Sequence, residues 1–183
     1  MHDIVVAFWF FIPAGLANGA PVLAAVLPKL RDYNAPIDAG KSFRGKRIFG
    51  EHKTWRGLAA GIVAATIGTT LQWALAQNTA INTYFAPLDY AHVPFLLLGV
   101  LFGIGVIAGD AIESFFKRQI GIKPGHSWFP FDQIDYILGG ALAVAPIMHL
   151  TLLQYVWVLA LWLIIHIVVT YLGYLGHLKD KPI

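Results

Sequence analysis

The sequence predicts an all-α, polytopic membrane protein with about five transmembrane helices. Three observations carry that expectation. The chain is 57% hydrophobic and only 13% charged, with mean hydropathy +0.64, where a soluble domain carries about 25% charged residues. Its apolar residues gather into stretches near the ~20 needed to cross a bilayer. Its cations fall in only some of the intervening links, which is how membrane topology is written in sequence.

The first span covers about residues 4–30 and contains Pro13, Asn18 and Pro21. No Lys or Arg precedes it and it is long, so it reads as a span and not as a signal peptide. The prolines predict a broken helix, whose freed backbone groups need protein or a water-filled cavity beside them; an ordinary proline kink is the competing reading. The second span is about 58–76 and the third about 93–112, in which residues 94–109 carry no charge. The fourth runs over about 134–150 and the fifth, the most apolar, over about 153–175. His166 in the fifth is expected to be buried against a neighbouring helix. No internal repeat divides the chain, which reads as one integral membrane domain over 1–183. It has no cysteine, which excludes disulfides, thiolate metal sites and cysteine nucleophiles.

All thirteen Lys and Arg residues lie in the links after spans one (about 31–57, with Lys29 at its edge) and three (about 113–133), or in the tail at Lys179 and Lys181. Five spans put those three segments on one side. The positive-inside rule makes that side cytoplasmic, with the N-terminus outside and the C-terminus cytoplasmic, in a multi-pass protein of the cell membrane.

Insertion explains cations but not the carboxylates among them. Asp110 and Glu113 are three apart where span three emerges; Asp132 and Asp135 are three apart where span four begins. Residues i and i+3 share a helix face, so each pair aims its oxygens one way. Salt bridges to Lys117 or Arg118 and a helix cap at Asp132 are the structural alternatives. Two pairs flanking one link favour a metal site, and hard oxygen donors suit Mg²⁺ or Mn²⁺ with phosphate ligands. The first link, with Lys41, Arg44, Lys46, Arg47, Lys53 and Arg56 among glycines and aromatics, offers phosphate-binding donors, with Trp55 or Phe49 able to stack on a base. A polybasic strip on anionic headgroups is the alternative for 41–47.

Read together, Gly109-Asp110, Glu113-Ser114, Lys117-Arg118, Lys123-Pro124-Gly125-His126 and Asp132-Gln133-Ile134-Asp135 resemble the signature of CTP-dependent lipid cytidylyltransferases. Lys53-Thr54-Trp55-Arg56-Gly57 is similar to an element of the short archaeal branch, the CDP-archaeol synthases. The phosphatidate enzymes differ: they carry Arg where Gln133 stands, Gly-Gly where Ser127-Trp128 follow the histidine, and a spacer before the Pro-Gly-His turn that Lys123 lacks here. The resemblance implies cytidylyl transfer from CTP to an isoprenoid ether-lipid phosphate, 2,3-bis-O-geranylgeranylglyceryl phosphate. It implies Asp110, Asp132 and Asp135 as metal ligands supported by Glu113, with Lys117 and Arg118 as catalytic phosphate grips. Lys53, Thr54, Trp55, Arg56, Ser114, Lys123 and His126 are then expected to hold CTP or the lipid phosphate. Membrane lipid and other copies of the chain are the remaining expected partners, and nucleic acid is not. The alternatives are phosphatidate cytidylyltransferase and a small ion-coupled transporter or channel, the latter requiring polar groups at mid-depth in several spans.

Overall fold

A computed structural model describes residues 1–176; Lys179 and Lys181 of the predicted cytoplasmic tail lie outside the described residues. The elements are α1 (His2–Val26), the strands β1 (Ser42–Phe43) and β2 (Lys46–Arg47), α2 (Trp55–Leu75), α3 (Thr79–Tyr84), a 3₁₀ turn at Ala86–Leu88, α4 (Phe95–Ile120), α5 (Phe131–Val144) and α6 (Leu152–Leu175). Helices α1, α2, α4 and α6 are long and apolar enough to cross a membrane.

Helix α5 differs from the expected fourth span. It begins at Phe131 and stops at Val144 after 14 residues, a rise of roughly 21 Å. Pro146 lies two residues past its end and has no N–H to continue the ladder. The remainder of 134–150 is a turn, closed where the Tyr155 hydroxyl donates to Met148 O at 3.2 Å. Helix α4 runs eight residues past the expected border at 112, so Glu113, Lys117 and Arg118 stay on a continuous helix. No sequence motif marks the small β1–β2 hairpin inside the first link.

The links between the helices fall at two ends of the bundle. At one end His2 pairs with Tyr84 O at 2.7 Å and Gln154 donates to Asp3 at 3.1 Å. At the other, Lys46 donates to Gln119 O at 2.6 Å and Lys53 to Asp110 at 2.6 Å. The polar residues expected to form a site therefore gather at one end, and the ion-path alternative, which needs them at mid-depth, finds no support in this placement.

Helix α1 packs against α2, α4 and α6, and its Phe10 and Phe11 meet Phe102, Tyr136 and Trp162 in the aromatic core. The predicted break does not occur: α1 is continuous through Pro13 and Pro21. Pro13 has no N–H for the carbonyl four residues back, and the buried Gln72 of α2 donates to that carbonyl, Trp9 O, at 2.5 Å. His166 is half-buried beside the Tyr136 ring, 5.5 Å between centroids.

Candidate active site

Helical spacing places Asp110, Glu113, Ser114 and Lys117 on one face of the last three turns of α4. Gly121, with φ +86°, ends the helix in a left-handed conformation that favours glycine. The first turns of α5 bring Asp132 and Asp135 to that face. Their approach depends on glycine: a Cβ on Gly109 would collide with Asp135 O, and one on Gly139 with Gly105 O. Backbone thus touches backbone along the α4–α5 seam, which draws carboxylates from the two helices together.

Oxygens of Asp110, Glu113 and Asp135 lie within 4.8 Å of one another. Asp132 stands beside this trio rather than in it, because one of its oxygens accepts from Lys117 Nζ at 2.8 Å and the other from Trp128 N–H at 2.8 Å. Lys117 also stands 3.5 Å from Glu113 Oε1, an atom buried without a hydrogen bond among the described residues; Arg118 Nε is buried in the same condition. Lys53 reaches in from the first link and donates to both oxygens of Asp110 at 2.6 Å. Four carboxylates against the two ammonium groups leave the cluster formally at −2. Together with an oxygen-only donor set and an orphaned carboxylate oxygen, that charge fits a hard divalent cation such as Mg²⁺ or Mn²⁺ held by Asp110, Glu113 and Asp135.

Two cavities open on this cluster. One, of about 680 Å³, is lined by Lys46, Arg47, Phe49, Ser114, Lys117, Arg118, Pro124 and Gly125 as well as by the acidic residues. The second, of about 820 Å³, lies toward α1 and is lined by Asn18, Pro21, Asn34, Thr54 and Arg56. Arg47, Glu51, His52, Lys53 and Asp110 line both, so the Lys53–Asp110 pair stands in a shared wall. Outside the second cavity, an apolar groove between α1 and α2 carries Leu23, Leu27, Tyr33, Trp55 and Val63.

The buried Thr54 hydroxyl accepts from Gly57 N–H at 3.1 Å and caps α2, because an oxygen at this position satisfies a first-turn donor. That cap turns the next residue, Trp55, outward to 57% exposure in the apolar groove, away from the polar cavities. Arg56 donates to Leu30 O and Arg31 O at 3.2 and 2.7 Å and borders the second cavity. Lys123 and His126 are exposed on the loop before α5, and His126 Nδ1 lies 3.4 Å from Pro124 O; neither lines a cavity described here. Asp38, which no motif marked, is wholly buried in the first link and accepts from Arg47 at 2.8 Å.

The comparisons with known proteins cover the whole chain. The family model described as CarS-like, CDP-archaeol synthase, matches residues 1–183. The CDP-archaeol synthase of Pyrococcus furiosus is 32% identical, with 100% of this chain and 99% of that protein aligned. That of Saccharolobus islandicus is 31% identical over 99% of this chain and 97% of the relative. A solved structure described as an intramembrane enzyme for archaeal membrane lipids biosynthesis superposes with TM-score 0.71 at 28% identity, covering 91% of this chain and 93% of that one. With a carboxylate trio, two cavities whose linings include lysines and arginines and an apolar groove at one end of a membrane bundle, the chain belongs to the CDP-archaeol synthase family, the nucleotidyltransferases of CTP-dependent archaeal membrane-lipid synthesis.

Proposed function

We propose that this chain transfers the cytidylyl group of CTP to 2,3-bis-O-geranylgeranylglyceryl phosphate, forming CDP-archaeol and pyrophosphate. The observation that carries the proposal is the shared wall: two cavities, each lined by lysine and arginine side chains, meet at Lys53 and Asp110. CTP occupies the cavity bordered by Lys46, Arg47, Lys117 and Arg118. The lipid phosphate occupies the one bordered by Asn18 and Arg56, with its isoprenoid chains in the groove of α1 and α2.

A lipid phosphate oxygen attacks the α-phosphorus of CTP in line; the new P–O bond forms as the bond to the β-phosphate bridging oxygen breaks, and pyrophosphate leaves with that electron pair. The nucleophile is already ionised near neutral pH, so no general base is needed. What the chain must supply is alignment and charge compensation. Lys117 and Arg118 grip the triphosphate, Ser114 offers a hydroxyl beside them, and Lys53 faces the phosphates of both substrates. Asp110, Glu113 and Asp135 would hold the divalent ion, with Asp132 orienting Lys117. Such an ion, when bound, offsets the negative charge that builds on the phosphates. The basic links support a cytoplasmic position for this end of the bundle, where CTP is.

The test uses the purified protein with labelled CTP, Mg²⁺ and either the isoprenoid ether-lipid phosphate or phosphatidate. Pyrophosphate release that requires the ether lipid is the expected result. Strong turnover with phosphatidate alone would refute the substrate assignment.

A further inference from the structure

We propose that Asp38 is a positioning residue for binding of the nucleotide: it fixes residues 46–50, one wall of the cavity of about 680 Å³, in the conformation that receives the triphosphate. The proposal rests on the assignment of that cavity to CTP. Five donors converge on this one carboxylate. Oδ1 accepts from Gly40 N–H at 3.0 Å and Arg47 Nη2 at 2.8 Å. Oδ2 accepts from Arg47 Nε at 3.3 Å, Phe49 N–H at 3.0 Å and Gly50 N–H at 3.1 Å. The side chain is 0% exposed, so it touches no ligand and acts only through what it holds.

What it holds is a segment with little else to shape it. The β1–β2 hairpin pairs over two residues per strand, Ser42 with Arg47 and Phe43 with Lys46, around a turn with positive φ at Arg44 and Gly45. Two-residue strands do not persist alone in water. Outward, the hairpin touches α4 through Lys46 to Gln119 O and through Phe43 against Phe115. Inward, Asp38 is its anchor, and it ties the backbone on both sides of the hairpin to the Arg47 fork.

Lys53 is held by a separate clasp. Ile37 N–H donates to Lys53 O at 2.8 Å, Trp55 N–H donates to Ala35 O at 3.1 Å, and Pro36 bridges Thr54. Release of Asp38 therefore loosens the wall at Lys46, Arg47 and Phe49 while Lys53, the carboxylate trio and Lys117 keep their places. An interaction of that kind contributes equally to bound substrate and to transition state, and its loss appears in KM.

The measurement is steady-state kinetics of Asp38→Asn in the full chain, with CTP varied at saturating lipid phosphate. The amide turns a donor toward either Arg47 or the backbone N–H groups. The expected result is a KM for CTP raised about tenfold or more, the scale of one lost charge-assisted contact, with kcat kept within about twofold. A purely structural role lowers the active fraction, so kcat falling at constant KM would overturn the proposal, as would unchanged constants. If Asp38→Asn cannot be extracted folded, Asp38→Glu decides. It keeps the charge but shifts both oxygens by one carbon from Arg47 and the backbone N–H groups they hold, so a raised KM supports the proposal and wild-type KM overturns it. The wild-type control separates the two levels: absence of CTP turnover there strikes the functional assignment, not the role of Asp38.

Discussion

Gly139→Ala is a one-carbon change that tests whether the α4–α5 seam sets the catalytic geometry. Its Cβ would collide with Gly105 O and would stand 2.8 Å from Gly109 Cα and 3.0 Å from Gly109 N. These are backbone atoms, which no rotamer change can move. Restoring ordinary contact pushes α5 from α4 by roughly 1 Å. The trio of Asp110, Glu113 and Asp135 is built across that seam within 4.8 Å, so its two halves separate by about the same amount. A displacement of that size costs on the order of 10²-fold in rate, and the overpacking costs about 1–3 kcal/mol of stability. Two substitutions calibrate the result. At Gly140 a Cβ meets only side chains, Phe11 at 3.1 Å and Val106 at 3.2 Å, and at Gly19 it meets nothing within 4 Å. CTP turnover and thermal unfolding in detergent should therefore rank Gly19→Ala nearest wild type, then Gly140→Ala, with Gly139→Ala far below. A Gly139→Ala protein with turnover within about threefold of wild type would sink the reasoning.

The other expectations concern single side chains. Asp135→Asn should reduce Mg²⁺-dependent turnover by at least about 10²-fold and weaken Mn²⁺ binding measured directly without substrate. Asp132→Asn should weaken Mn²⁺ binding less, because Asp132 bonds Lys117 and lies outside the trio. Thr54→Ala removes the cap of α2 and should cost about 1 kcal/mol in unfolding with little change in KM, whereas Lys53→Met should impair turnover of a folded protein. For pH, burial pushes the Asp38 carboxyl up, but bonds from Arg47, Phe49, Gly50 and Gly40 outweigh it and hold the group well below the usual carboxylate range. A depressed native value means its stabilising contribution is full above the unfolded value of about 3.9 and is lost as pH falls below it. Unfolding scans from pH 6 to pH 3 should show a steeper acid loss for wild type than for Asp38→Asn; parallel curves would contradict this.

The parts of the site that sequence displays are those built by local periodicity. Asp110, Glu113 and Lys117 share a face at spacings of three and four, and the helix carrying them is unbroken. Lys53 was visible because it directly precedes a span, yet its partner, 57 residues on, could not be read from spacing. Trp55 looked like a base-stacking group for want of one fact, that Thr54 caps the helix and fixes the rotation of everything after it. Asp38 gave no signal because three of its five donors are backbone N–H groups, which carry no residue identity. The short α5 escaped notice because hydropathy continues through Ile147 and Met148 after the hydrogen-bond ladder has ended.

The carbonyl of Trp9 also constrains how this sequence can drift. Pro13 removes its helical donor and Gln72 supplies another from a different helix, so neither residue is neutral alone. Losing Gln72 while Pro13 remains strands a carbonyl inside the bundle, and losing Pro13 leaves an amide with a contested acceptor. Substitutions at 13 and 72 should accordingly be inherited as a pair, leaving a record of covariation between two positions that touch neither substrate.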